Sequence, residues 1–132
     1  MPDFGVGGKE AVERKNHDLA VKAAVKAHEC RAEDVLVLDM RPLVDYTDFF
    51  VIASAASATQ IKGMAREIEK TLFKGGAVLI SAHGRETGWI LLDFGDVIVH
   101  IFNSESRRFY SLERLWADAK RYDISQLVTE GS

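Results

Sequence analysis

The chain has 132 residues, a formal net charge of −3, 47% hydrophobic and 28% charged residues, and one cysteine. That length fits one domain able to bury a core unaided, and the lone Cys30 excludes an internal disulfide framework and suits a reducing compartment. The negative balance argues against unaided nucleic-acid binding, whose affinity comes largely from neutralised phosphates, and no apolar run approaches the roughly 20 residues needed to span a bilayer.

Residues 1–8 hold Pro2, Gly5, Gly7 and Gly8 and read as a flexible N-terminus. Asp3, Glu10 and Glu13 are unlike a secretory signal or an acid-poor transit peptide, so a cytoplasmic protein is expected. "GVGGKE" lacks the spacing of a phosphate-binding loop. From Lys9 to Arg31 the pattern is helical. Val12, Leu19, Ala20, Ala23, Ala24 and Ala27 form one stripe of mostly small residues, which lets a helix lie close to what it covers.

Val35 to Leu38 is a short apolar run bounded by acids and reads as a buried strand. "TDFFVIASA" is a second strand, rich in aromatic and β-branched residues. Ser57 and Gln60 have capping-box spacing and open a helix whose apolar face is Ile61, Met64, Ala65, Ile68 and Leu72. Gly75 and Gly76 stop it. Capping alone accounts for Ser57, so no anion site is assigned there. "AVLIS" is the third strand, ending near His83-Gly84.

"GWILLDFGDVIVHIF", residues 88–102, reads as a hairpin. With Phe94-Gly95 as the turn and Asp93 opposite Asp96, Ile90, Leu92, Val97, Val99 and Ile101 all share one face, which is core. The other face carries Trp89, Leu91, Asp93, Asp96, Ile98, His100 and Phe102, a mixture that suits an exposed side better than a sealed interior. A slip of one residue would exchange the faces of one strand. Carboxylates flanking a turn are common for turn reasons alone. No HxxxH, HExxH or paired-Cys spacing supports a metal at Asp93, Asp96 and His100, so a solvated histidine is the simpler reading. An outward Trp89 beside Leu91, Ile98 and Phe102 would make an apolar patch suited to a partner.

"SESRRFYSLERLWADAKRYD" reads as one or two helical pieces with Tyr110, Leu112, Leu115 and Trp116 inward, and Arg107 and Arg108 free to anchor an acid such as Asp93. The tail from Ser125 is weak in pattern. The expected organisation is therefore a single domain over 9–122 followed by a mobile tail over 123–132. The fold class is α+β, a mixed β-sheet with flanking helices.

Three blocks, "TDFFVIASAASATQI", "GWILLDFGDVIVHIF" and "ESRRFYSLERLW", resemble the ribosomal silencing factor family, also called RsfS or Iojap, over about Val35 to Trp116. The resemblance implies a nucleotidyltransferase-like α+β fold without transferase activity. It implies binding to the large ribosomal subunit through the ribosomal protein numbered fourteen. That binding would block subunit joining and repress translation when nutrients are scarce. A working nucleotidyltransferase places Gly-Ser at a strand-to-helix joint and paired acids on the next strand. Here the joint is "IASAASA" and "AVLIS" has no acid, so no catalysis and no cofactor are expected. Carried over, the partner-binding residues are Trp89, Leu91, Asp93 and Asp96, with Ile98 and His100 behind and Arg108 and Tyr110 at the rim. The rival readings are a divergent metal-dependent nucleotidyltransferase or phosphohydrolase using Asp93, Asp96 and His100, and a homodimer formed through the Trp89 face.

Overall fold

The computed structural model describes residues 6–84, 88–125 and 127, without the side chains of 6–10, 109 and 110. The elements run α1 (Val6–Glu29), β1 (Glu33–Asp39), β2 (Phe49–Ala55), α2 (Ala58–Lys74), β3 (Ser81–His83), β4 (Trp89–Asp93), β5 (Val97–Asn103), α3 (Ser104–Tyr110), α4 (Leu112–Leu115) and β6 (Lys120–Asp123). The fold is α+β. One mixed sheet has strand order β3-β4-β5-β2-β1-β6. β2 and β5 pair in parallel, with Phe49 opposite Val97; the other described ladders are antiparallel. No described helix is long and apolar enough to cross a membrane.

The strand alternation feeds two cores. Val37, Phe49, Val51, Val97, Val99 and Ile101 point to the side covered by α1 and α2. Leu38, Phe50, Ile52, Ile98 and Phe102 point to the opposite side, where Leu112 and Ala119 cover them. β2 is therefore buried at every position. Its one polar side chain, Ser54, donates to the Glu33 carbonyl at 3.0 Å, which meets the requirement that a buried hydroxyl find a partner.

Both helices pack as their sequences direct. Ala20, Ala23, Ala24 and Ala27 of α1 are fully buried, and their small size brings the helix close to the sheet and to α2. Val12 departs from the expected stripe and is exposed; Asn16 takes an inward place instead, donating from Nδ2 to Asp48 at 3.1 Å. At the start of α2 the Ser57 hydroxyl accepts from the Gln60 N–H at 3.1 Å, and Gln60 Oε1 accepts from the Ala56 N–H. At its end Gly76 has φ +96°. The Gly76 N–H reaches the Phe73 carbonyl and the Ala77 N–H reaches the Leu72 carbonyl, a Schellman arrangement that satisfies otherwise free carbonyls.

Four expectations need correction. The third strand is not residues 77–81 but Ser81–His83: the Ala77–Ile80 run forms an irregular connection with Val78 and Ile80 exposed. α1 begins at Val6, inside the stretch expected to be flexible, while residues 1–5 lie outside the described ones. Lys120–Asp123, read as helical, is an edge strand paired with β1. Leu127, assigned to the tail, is buried in the first core; residues 126 and 128–132 lie outside the description.

Candidate docking face

The β4–β5 hairpin positions the expected site. Asp93 Oδ1 accepts from the Gly95 N–H at 2.7 Å, the side-chain turn that aspartate forms readily. Gly95 has φ +89°, a conformation that is nearly free only for glycine. The Phe94 N–H donates to the Val97 carbonyl at 2.9 Å. Asp93 therefore lies opposite Ile98, not Asp96. The expected register was displaced by two residues, which leaves the strand side chains on their predicted faces, but Asp96 moves from the strand into the turn beside Gly95. Ile90, Leu92, Val97, Val99 and Ile101 are all buried.

The opposite face differs from expectation more deeply. It is a second core with a half-open edge, because Leu112 of α4, Trp116, Ala119 and the segment around Met40 and Val44 cover much of it. Phe102 is fully buried and Ile98 is 7% exposed. His100 is not solvated: it is 4% exposed, and burial lowers its pKa from 6.5 to about 4, so the ring is neutral at physiological pH. Its Nδ1 accepts from the Trp89 indole N–H at 3.1 Å. Among the described residues Nε2 has no hydrogen-bond partner.

Trp89 is half-buried. Its ring stacks on Phe102 with centroids 4.9 Å apart and an interplanar angle of 25°. His100 in turn meets the Phe50 ring edge-on at 4.6 Å, and Phe50 meets Tyr46 and Trp116. An aromatic layer thus runs across the sheet from Trp89 to Tyr46, whose own side is 56% exposed. Leu91 and Asp93 are half-buried and Asp96 is exposed. Trp89 and Leu91 are the half-buried border of this second core, whereas Asp96 lies in the turn and lines a cavity with Val12 and Lys15 of α1.

Arg108 is exposed and lines a polar cavity with Arg107 and Arg114. The Tyr110 side chain lies outside the described residues. Tyr46 was missed; the only sequence signal was an aromatic side chain among the acids of "DYTD". Leu115, expected inward, is 69% exposed, whereas Leu112 is buried. Arg107 does not reach for Asp93: it is 6% exposed and pairs with Glu113 at 3.1 Å.

Asp93, Asp96 and His100 are not brought together, since Asp93 is engaged in the turn and His100 lies within the aromatic layer. Among the described residues no group of three His, Cys, Asp or Glu side chains is placed to hold a metal ion.

Comparison with known proteins is decisive for the family. A profile described as "Ribosomal silencing factor during starvation" matches residues 13–132. The chain belongs to the ribosomal silencing factor family. It is similar to ribosomal silencing factor RsfS of Bacillus subtilis, with 39% identity over 103 residues, covering 77% of this chain and 87% of that protein. It is also similar to the chloroplastic protein Iojap of Zea mays, with 40% identity over 80% of this chain and 46% of that longer protein. Among solved structures, a Chromobacterium violaceum protein superimposes with a TM-score of 0.73 at 25% identity, covering 76% of this chain and 85% of that one. The family's name describes a regulator of the ribosome.

Proposed function

We propose that the chain is a non-enzymatic translational repressor. It docks on the large ribosomal subunit through the ribosomal protein numbered fourteen, blocks joining of the small subunit and lowers translation under nutrient limitation, in the cytoplasm. The observation that carries this reading is the half-buried Trp89–Leu91 edge, with Asp93 further along the same strand face. A tryptophan held in place by stacking and one hydrogen bond loses little freedom on binding, which suits an interface anchor. Neighbouring carboxylates suit a basic partner such as a ribosomal protein.

Steric occlusion needs no catalytic group. The mixed sheet with helices on its faces supports a nucleotidyltransferase-like ancestry, and the strand after the α2 joint carries no paired acids. The separation of Asp93, Asp96 and His100 disfavours the enzymatic rival.

The test is co-sedimentation of the full chain with purified large subunits, with and without added free ribosomal protein fourteen, followed by a subunit-joining assay. Binding abolished by the free protein, together with reduced joining, is expected. Failure to co-sediment would overturn the reading, and binding insensitive to the competitor would overturn the choice of partner.

A further inference from the structure

A second site shares only Arg108 with the proposed docking residues. A cavity of about 530 Å³ is lined by Asp34, Ser54, Arg107, Arg108, Glu113 and Arg114, among others. It opens beside the carboxyl ends of the parallel strands β2 and β5, where sheets of this kind commonly bind ligands. Its volume is within the range of small-molecule sites.

The lining is built and charged. Arg107 is 6% exposed and is held in three directions: Nη1 donates to Ser54 Oγ at 3.1 Å and to the Glu33 carbonyl at 3.3 Å, and Nε donates to Glu113 Oε1 at 3.1 Å. Such a guanidinium is fixed before any ligand arrives. Arg108 and Arg114 are exposed, and neither forms an ion pair among the described residues. On the other side Glu113 Oε2 is buried and has no hydrogen-bond partner among the described residues. Two residues of the wall, Asp34 at φ +50° and Ser111 at φ +46°, hold a backbone conformation unfavourable to side chains, and such strain concentrates at ligand sites.

We propose that this cavity binds a phosphorylated sugar, a class that includes the ribose-phosphate end of a nucleotide. The two free arginines receive the phosphate through charge-assisted hydrogen bonds. The Asp34 carboxylate, exposed on the cavity wall, accepts from the sugar hydroxyls. An anion alone would meet Glu33, Asp34 and Glu113 unfavourably, so both halves of the ligand are required. The wall residues used here are polar, which suits the sugar phosphate rather than an aromatic base. The proposal is independent of ribosome docking.

The test is calorimetric or NMR titration of the full chain with ribose 5-phosphate, adenosine monophosphate, ribose and inorganic phosphate. Ribose 5-phosphate is expected to bind with a dissociation constant of about 1 mM or tighter, and the exposed-site variant Arg114→Glu to weaken it by about tenfold or more. Ribose and inorganic phosphate should each bind at least about tenfold more weakly. Tighter binding of the nucleotide than of the sugar phosphate would identify nucleotides as the source; the reverse would identify free sugar phosphates. Absence of binding at about 10 mM, equal binding by Arg114→Glu, or equal binding of inorganic phosphate would overturn the proposal.

Discussion

The Trp89 indole N–H donates to Nδ1 of His100 across the β4–β5 ladder at 3.1 Å. That bond requires a lone pair on Nδ1, so His100 is the neutral tautomer with its proton on Nε2. A half-exposed ring at the border of the second core is thereby held by a buried one. Protonation of His100 would place a hydrogen where Trp89 needs an acceptor.

The folded chain should lose stability in acid through His100. His100 has a pKa lowered from 6.5 to about 4 by burial. The unfolded chain therefore binds the proton more readily than the folded one. Stability is unaffected above the unfolded value, falls as pH drops from about 6.5 to about 4, and levels off for this residue below that. The full span is about 3 kcal/mol. His100→Gln keeps an acceptor for Trp89 but does not titrate. Urea denaturation at several pH values should show the variant lacking that slope; an unchanged slope would assign it to other groups.

Trp89→Ala should weaken docking on the large subunit by about 2 kcal/mol or more, roughly 30-fold. The variant should remain folded, with a lower melting temperature because the Phe102 ring loses its stacking partner. Binding measured below both melting transitions separates the two effects. Wild-type affinity would remove Trp89 from the anchor role.

Much of this site could be read from the chain, and the limits have physical causes. A two-residue error in hairpin register did no harm, because alternation assigns faces by parity. The burial of His100 was not legible, since its ring lies among Phe50, Trp89 and Phe102, in a layer closed by Leu112, Ala119 and Trp116 from a segment whose inward face could not be phased from so short a pattern. Leu115 and Leu112 are three apart and looked equivalent, yet only Leu112 is buried. The four-residue strand Lys120–Asp123 carries no apolar run and is fixed by pairing with β1, a tertiary effect. The caps of α2 were legible because serine, glutamine and glycine act locally.

Arg107→Leu should destabilise the fold by about 2–3 kcal/mol, toward the low end for breaking a buried pair. Glu113 is 28% exposed, so water recovers part of the cost. Adding Glu113→Leu should restore some of the loss. A double variant as unstable as the sum of the single ones would show that the two residues do not act as a pair.

Gly76→Ala should cost about 1–2 kcal/mol, since φ +96° disfavours any side chain. The added methyl would also stand 3.2 Å from Lys15 Nζ, contact that the flexible lysine can relieve. Denaturant midpoints at unchanged slope would measure it; no shift would mean that the turn relaxes.

The parallel pairing of β2 with β5 has a consequence for the nascent chain. Phe49, leading β2, pairs with Val97, so β2 is translated long before the strand that flanks it. Until β5 leaves the exit tunnel, Phe50 and Ile52 on one side and Val51 on the other lack much of their shelter. Premature release upstream of residue 97 should yield aggregation-prone fragments, whereas termination just after Asn103 should yield a compact species with one end unfinished. Protease sensitivity of arrested chains of graded length would locate that transition.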